Sequence, residues 1–155
     1  MELRITLPNQ CIVKKNTIQY SYFYKDKAGR KIPRSFPIAY YTKNYIDWAK
    51  NAIMACGNFK VKHPEIKFPI DTAVNLACHF IFDNQKNVDM SNLLEGCLDV
   101  LAGNAGVCKD TIPKSYYQVL EDDSVRFVCS LDGCRFLYLP AEKSRTEIII
   151  TDFKY

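Results

Sequence analysis

The stretch DTAVNLACHFIF, residues 71 to 82, constrains the fold more than any other part of the chain. Val74, Leu76, Cys78, Phe80 and Phe82 alternate with their neighbours, which predicts a strand with one wholly apolar face. Asn75 and His79 lie on its other face. A strand this apolar on one side needs a second layer packed over it. That layer is supplied a few residues on. The segment NVDMSNLLEGCLDVL, residues 87 to 101, opens with polar residues and continues with Leu93, Leu94, Cys97, Leu98 and Leu101 at helical spacing. A helix over about 90–102 is predicted, with Gly103 and Gly106 bracketing its end.

The other elements arrange themselves around this unit. LRITLP (3–8) alternates and ends at a proline, as a short strand does. NTIQYSYFY (16–24) is rich in β-formers, and KIPRSFPIAYY resumes the pattern after a turn at Ala28-Gly29. The pair is expected to form a hairpin or a loop, because Pro33 and Pro37 exclude a central strand. Thr42 is placed to cap a helix of about 42–57, with Tyr45, Trp48, Ala49, Ala52, Ile53 and Cys56 on its inner face and Gly57 as its stop. Residues 58–69 read as a polar connection and 107–120 as irregular. SVRFVCSL (124–131) and TEIIITDF (146–153) are predicted strands, expected to be antiparallel partners across a loop containing Pro140. The expected architecture is α+β: a single domain over 1–155 with a mixed sheet and two main helices on one face.

With 48% hydrophobic and 25% charged residues, the chain can bury a core, which excludes a disordered class. It has no apolar run near the ~18 residues of a membrane span. MELRITLPNQ lacks the basic start and apolar middle of a signal peptide, so a soluble cytoplasmic protein is expected. The seven cysteines are odd in number and contain no CxxC, so buried free thiols are the expectation. A zinc site on Cys129 and Cys134 would lack the usual knuckle spacing. Charge is unevenly placed: residues 1–67 carry 13 Lys/Arg and 4 Asp/Glu, whereas 68–155 carry 8 and 13. A basic first part suits a polyanion and an acidic second part suits cations, although a solvated surface has the same composition.

Two acidic groups stand at the ends of predicted elements: Asp89 at the helix mouth, and Glu121-Asp122-Asp123 before the strand at 124. They converge if the strands after 71 and after 124 are neighbours. Converging carboxylates hold Mg²⁺ through oxygen and leave positions for water. Each group also has a plainer reading. Asp89 can cap the helix, with Ser91 and Asn92 as rival caps, and EDDS can be an Asp-rich turn. Between 14 and 34 lie Lys14, Lys15, Lys25, Lys27, Arg30, Lys31 and Arg34 with one acid, Asp26. Tyr20, Tyr22, Phe23 and Tyr24 are interleaved with them. The cations suit phosphate contacts, and the aromatics either stack on unpaired bases or fill a core or an interface. His79 reads as a structural histidine, with a catalytic base or a DNA contact as the other option.

VDMSNLLEGCLDVL, a Gly-rich break and then LEDDSVRFV together resemble the RusA family of phage and prophage Holliday junction resolvases. That family has an Asp-x-Asp-Asn or Asp-x-x-Asn motif at a helix start, a Leu-Asp-x-Leu stretch in the helix and Asp-Asp-Ser before a strand. Asp89 and Asn92 match the first motif, Asp99 the second, and Asp122 with Asp123 the third. The resemblance covers most of the chain, and its specific part lies within 88–128. It implies a Mg²⁺-dependent endonuclease (with Mn²⁺ as a substitute) that acts as a homodimer on four-way or other branched DNA and cuts by paired nicks. It also implies a phage or prophage protein working in the cytoplasm of a bacterial host. Asp89 and Asp123 would be the main metal ligands, Asp122 a third, and Asn92 an orienting group. This chain departs from the pattern at three places. Ser91 stands where many members have a second metal-binding Asp, and Glu95 lies near a catalytic Lys position of some members. An insertion, CKDTIPKSYYQV, makes Asp110 a rival partner. The carboxylate missing at Ser91 motivates a second expectation, a weak or inactive homologue that binds branched DNA without cutting it.

Overall fold

The computed structural model describes residues 1–12, 18–85, 88–108 and 110–154. The elements run β1 (Glu2–Pro8), β2 (Ile18–Lys25), β3 (Lys31–Tyr41), α1 (Lys43–Lys62), β4 (Val74–Phe82), α2 (Met90–Leu101), α3 (Lys114–Tyr117), β5 (Val128–Ser130), β6 (Arg135–Tyr138) and β7 (Arg145–Asp152). β4 is central to a five-stranded mixed sheet. β7 lies antiparallel along one edge of β4, from Val74 to Ile81, and β1 lies antiparallel outside β7. The other edge of β4 is shared by β5 at Val74–Asn75 and β6 at His79–Phe82, both parallel to it. β5 and β6 are thus two segments of one interrupted edge strand.

The alternation in the sequence decides which face is covered. Leu3, Ile5 and Leu7 of β1 pair with Ile150, Ile148 and Thr146 of β7, which in turn sit beside Leu76, Cys78 and Phe80 of β4. All of these are buried, and they join Trp48, Ile53, Leu93, Cys97 and Leu101 from the two main helices in one core. The opposite face carries Arg4, Thr6, Asn75, His79 and Glu147. This is the expected α+β layering. Among the described residues no helix is long and apolar enough to cross a membrane.

Three expectations about elements are corrected. Gly57 does not stop α1, which continues to Lys62. Its missing side chain makes room instead: a Cβ there would lie 2.0 Å from Cε1 of Tyr116, so the helix runs under that ring. Phe59 is buried in the extra turn, and Lys60 Nζ donates to the carbonyls of Ser115 (2.6 Å) and Gln118 (2.9 Å), tying α1 to α3. The predicted strand 124–131 shrinks to Val128–Ser130, because the amides of Phe127 and Val128 turn back onto the carbonyl of Ser124. The last two predicted strands are not partners either. β7 takes the antiparallel edge of β4, and the connection expected to be a loop containing Pro140 also contains β6.

The hairpin expectation holds, and its form matters for function. β2 and β3 make a separate two-stranded antiparallel sheet, so both prolines of β3 lie on strands with open edges. The turn between them is built by Asp26. Its Oδ1 accepts from the amides of Ala28 and Arg30, both at 2.9 Å, and Gly29 takes the positive φ of 79°.

Candidate active site

The direction of α2 decides which acids meet. β4 runs to Phe82 and the chain then turns into α2, capped by Asp89. α2 runs back toward the start of β4. At its end the amides of Val119 and Leu120 donate to the carbonyl of Leu101, at 2.8 and 3.1 Å. The same segment is stitched to the entry of β4: the Ile70 amide donates to Val119 (2.8 Å) and the Glu121 amide to Ile70 (3.0 Å). Asp122 and Asp123 follow at once, and β5 then pairs in parallel with the first residues of β4. The two strands are neighbours as the convergence condition requires. Their parallel arrangement, however, places Asp122 and Asp123 at the C-terminal end of α2 and Asp89 at its N-terminal mouth.

Asp122 and Asp123 are the acids in contact, and the charge of Asp99 bears on Asp123 from the end of α2. The Asp122 carboxyl is held below its ordinary value by the Asp123 backbone amide first, then by the Ser124 hydroxyl and the Asp123 side chain. The Asp123 carboxyl is pushed up, chiefly by burial, then by its hydrogen bond with Asp122 and by the charges of Asp122 and Asp99. The pair thus behaves as two carboxyls competing to share a proton. Asp99 lies in the last turn of α2, which contains no basic residue, so the negative end of the helix dipole adds to the crowding. Lys114 of α3 bears on Asp122 as a nearby cation.

Asp89 serves as the N-cap of α2. Its Oδ1 accepts from the Ser91 amide (2.9 Å) and the Ser91 hydroxyl (2.8 Å). The Ser91 hydroxyl and amide, in that order, hold this exposed carboxyl below its ordinary value. Asp89 and Asp99 are ten residues apart, or about 15 Å along the helix axis. Asn92, Glu95 and Asp99 fall at spacings of three and four residues, so a polar edge of α2 runs from Asp89 toward the pair. Among the described residues no three His, Cys, Asp or Glu side chains are gathered closely enough to hold an ion by themselves. The Asp122–Asp123 pair fits a hard divalent cation on its own terms. It offers oxygen donors, its mutual repulsion is relieved by positive charge, and Mg²⁺ takes one or two carboxylates with water completing the shell.

The basic residues lie elsewhere. Lys25, Lys27, Arg30, Lys31 and Arg34 are all on the β2–β3 ribbon. Lys14 and Lys15 lie outside the described residues. Arg30 is tied to Asp26, with Nε donating to Oδ2 at 2.8 Å. Arg34 is half-buried, its Nε donates to the Phe23 carbonyl at 3.3 Å, and its guanidinium lies 5.3 Å from the Tyr24 ring centroid. The root of the ribbon reaches the acidic end of α2. Tyr41 packs on Tyr45, with ring centroids 4.9 Å apart. Tyr45 donates its hydroxyl to the Ala105 carbonyl at 2.8 Å, just beyond α2. Burial raises the pKa of Tyr45, and the charge of Asp99 adds to the shift.

His79 faces away from this region, on the open face of the sheet, with Nδ1 3.4 Å from Arg135 Nη2. Burial and then Arg135 hold it below its ordinary value, which favours the neutral ring of a structural histidine. Sequence reasoning gives Asp99 only a match to the Leu-Asp-x-Leu stretch, and its bearing on Asp123 follows from the backward run of α2. It passed over Phe36 and Tyr40 entirely, and both are exposed on the ribbon. Their place beside Pro33 and Pro37, in a segment unsuited to a core strand, was the available signal. The chain matches no protein-family model and no curated protein.

Proposed function

We propose that the protein is a Mg²⁺-dependent, structure-specific endodeoxyribonuclease that resolves four-way or other branched DNA by paired nicks, working as a homodimer. The observation that carries the reading is the Asp122–Asp123 carboxyl pair, placed beside the C-terminal end of α2 by the pairing of β5 with β4, within the motif that resembles the RusA family. Asp122 and Asp123 would hold Mg²⁺ at this end. Asp89, at the opposite end of α2 and about 15 Å from Asp99 along the helix axis, is too far away to ligate the same ion, and its exposed carboxylate would act as a separate acidic group of the motif. Bound by Asp122 and Asp123, Mg²⁺ would supply Lewis-acid stabilisation of charge on the phosphodiester oxygens. The chain's own part is to keep Asp122 ionised, to orient groups through Asn92, and to hold DNA phosphates with Lys25, Lys27, Lys31 and Arg34.

The test is cleavage of a labelled four-way junction in Mg²⁺, in EDTA, and by Asp123→Asn in Mg²⁺. Paired nicks that vanish in the second and third arms are expected. Full cleavage by Asp123→Asn would sink the proposal.

A second reading, a branched-DNA binder that does not cut, is favoured by one contact: the Ser91 hydroxyl sits on Asp89 Oδ1 where the resembled family has a carboxylate. On that reading the wild type binds junctions without nicking them, and Ser91→Asp gains cleavage. An unchanged Ser91→Asp variant counts against it.

A further inference from the structure

The β2–β3 ribbon displays side chains that the fold does not use. Tyr20, Tyr22, Phe23, Tyr24, Phe36 and Tyr40 are 61, 59, 52, 44, 80 and 48% exposed. Successive residues of a strand point to opposite faces, so the exposure of both Phe23 and Tyr24 leaves both faces of the ribbon open at that level. The pairing jumps from Ser21↔Ile38 to Phe23↔Pro33. Tyr22 on one strand and Arg34–Pro37 on the other are thereby left out of the ladder, and Phe36 lies within that unpaired stretch. An isolated two-stranded hairpin is marginal in water, and although Tyr24 meets the Arg34 guanidinium across the strands, Tyr20, Tyr22, Phe23 and Phe36 keep half or more of their surface open to solvent. Charge is concentrated in the same place. Residues 18–41 contain five Lys or Arg and one Asp, a net +4, equal to the net charge of the whole chain.

We propose that this ribbon is a binding surface for single-stranded nucleic acid. Unpaired bases stack on Tyr20, Tyr22, Phe23 and Phe36, and the phosphates lie against Lys25, Lys27, Lys31 and Arg34. The choice of DNA as the strand rests on the nuclease reading above; the surface itself stands on the ribbon's chemistry. Stacking platforms interleaved with cations are what an unpaired strand requires, since every base has a π-face and every link a phosphate. A duplex does not fit, because its bases are already stacked and groove readout uses polar side chains. A second copy of the ribbon would bring two +4 surfaces together. A membrane would favour apolar groups at the hairpin tip, yet the tip here is the polar Asp26 turn and the aromatics lie along the shaft.

The experiment is fluorescence anisotropy with a labelled oligodeoxythymidylate of about 20 nucleotides, in EDTA so that nothing is cut. Wild type should bind, and the affinity should fall with salt. Tyr22→Ala combined with Phe36→Ala should weaken binding about tenfold or more, while Tyr22→Phe retains it. Phe36→Trp adds a direct readout: the introduced indole should be quenched as the strand binds, against a constant signal from buried Trp48. Unaltered affinity in the double alanine variant, or no quenching, overturns the proposal. So does binding to phosphatidylserine vesicles in place of the oligonucleotide, or a dimer that Phe36→Ala dissociates without any oligonucleotide binding. Stacking-dependent binding by a protein that cuts no branched DNA would leave this surface standing and remove the nuclease. Junction cleavage without aromatic-dependent binding would do the reverse.

Discussion

Asp89 caps α2, the resembled motif gives it a second role in cleavage, and a pair of substitutions can separate the two. As the cap of α2 it accepts from the Ser91 amide and hydroxyl through one oxygen, Oδ1. Asn keeps an oxygen at that position and is as good a cap as Asp, so Asp89→Asn should preserve both contacts. Asp89→Ala removes both. Unfolding entropy scales with length, so for 155 residues the loss of an ordinary N-cap corresponds to a fall in Tm of about 3 °C. Asp89→Asn should stay within about 1 °C of wild type, losing only the favourable placement of charge at the helix start. Thermal denaturation followed by circular dichroism reads this first difference. Junction cleavage in Mg²⁺ reads the second, and there the two variants should be alike, because neither supplies a carboxylate. If Asn melts as early as Ala, the capping argument fails. If Asn cuts at the wild-type rate, Asp89 is a cap alone, and any ion lies at the Asp122–Asp123 end without it.

Mg²⁺ at 100 times its dissociation constant should stabilise the folded protein by about 2.7 kcal/mol, a rise of roughly 5–11 °C in Tm, and Asp122→Asn/Asp123→Asn should show none of it. An equal rise in the double variant would place the ion elsewhere. Folding raises the Asp123 pKa. Its stabilising contribution is therefore complete below the unfolded value of about 3.9 and is lost as pH climbs through the raised folded value. Asp123→Asn should melt higher than wild type near pH 7, with the difference shrinking as pH approaches about 4; a constant difference contradicts the proton-sharing pair. Gly57→Ala forces the Tyr116 ring off α1 and should destabilise by about 1–3 kcal/mol despite the better helix propensity of Ala; a stabilised variant in urea denaturation refutes the packing described.

Local pattern made much of this fold legible. The five apolar residues of β4, the Thr42 and Asp89 caps and the inner stripe of α2 were readable because each depends on residues within one or two turns. The failures share a cause in long-range packing. Gly57 looks like a stop until Tyr116, 59 positions later, is seen to fill its surface. β5 and β6 are short because each borrows only part of one edge of β4, and periodicity in three or four residues is too weak to register. For the site, the acids themselves were legible and their grouping was not. Sequence order suggests that Asp89 and Asp123 meet. The parallel pairing of β5 with β4 instead brings the far end of α2, with Asp99, to Asp123. The ribbon aromatics were undecided between core and surface, because alternation only states that neighbours differ.

The thiols of the core give this protein a clock. Cys11 and Cys97 sit with sulfurs 3.8 Å apart beneath α2, and the Cys78 amide donates to Cys134 Sγ at 3.2 Å across β4. Cys97 is fully buried, and its pKa is pushed well up by its contact with Cys11 and by burial. Thiolate is the form that alkylating reagents attack, so Cys97 can be labelled only in the moments when α2 lifts from the sheet. The rate of its alkylation therefore counts the openings of the helix whose ends carry Asp89 and Asp99.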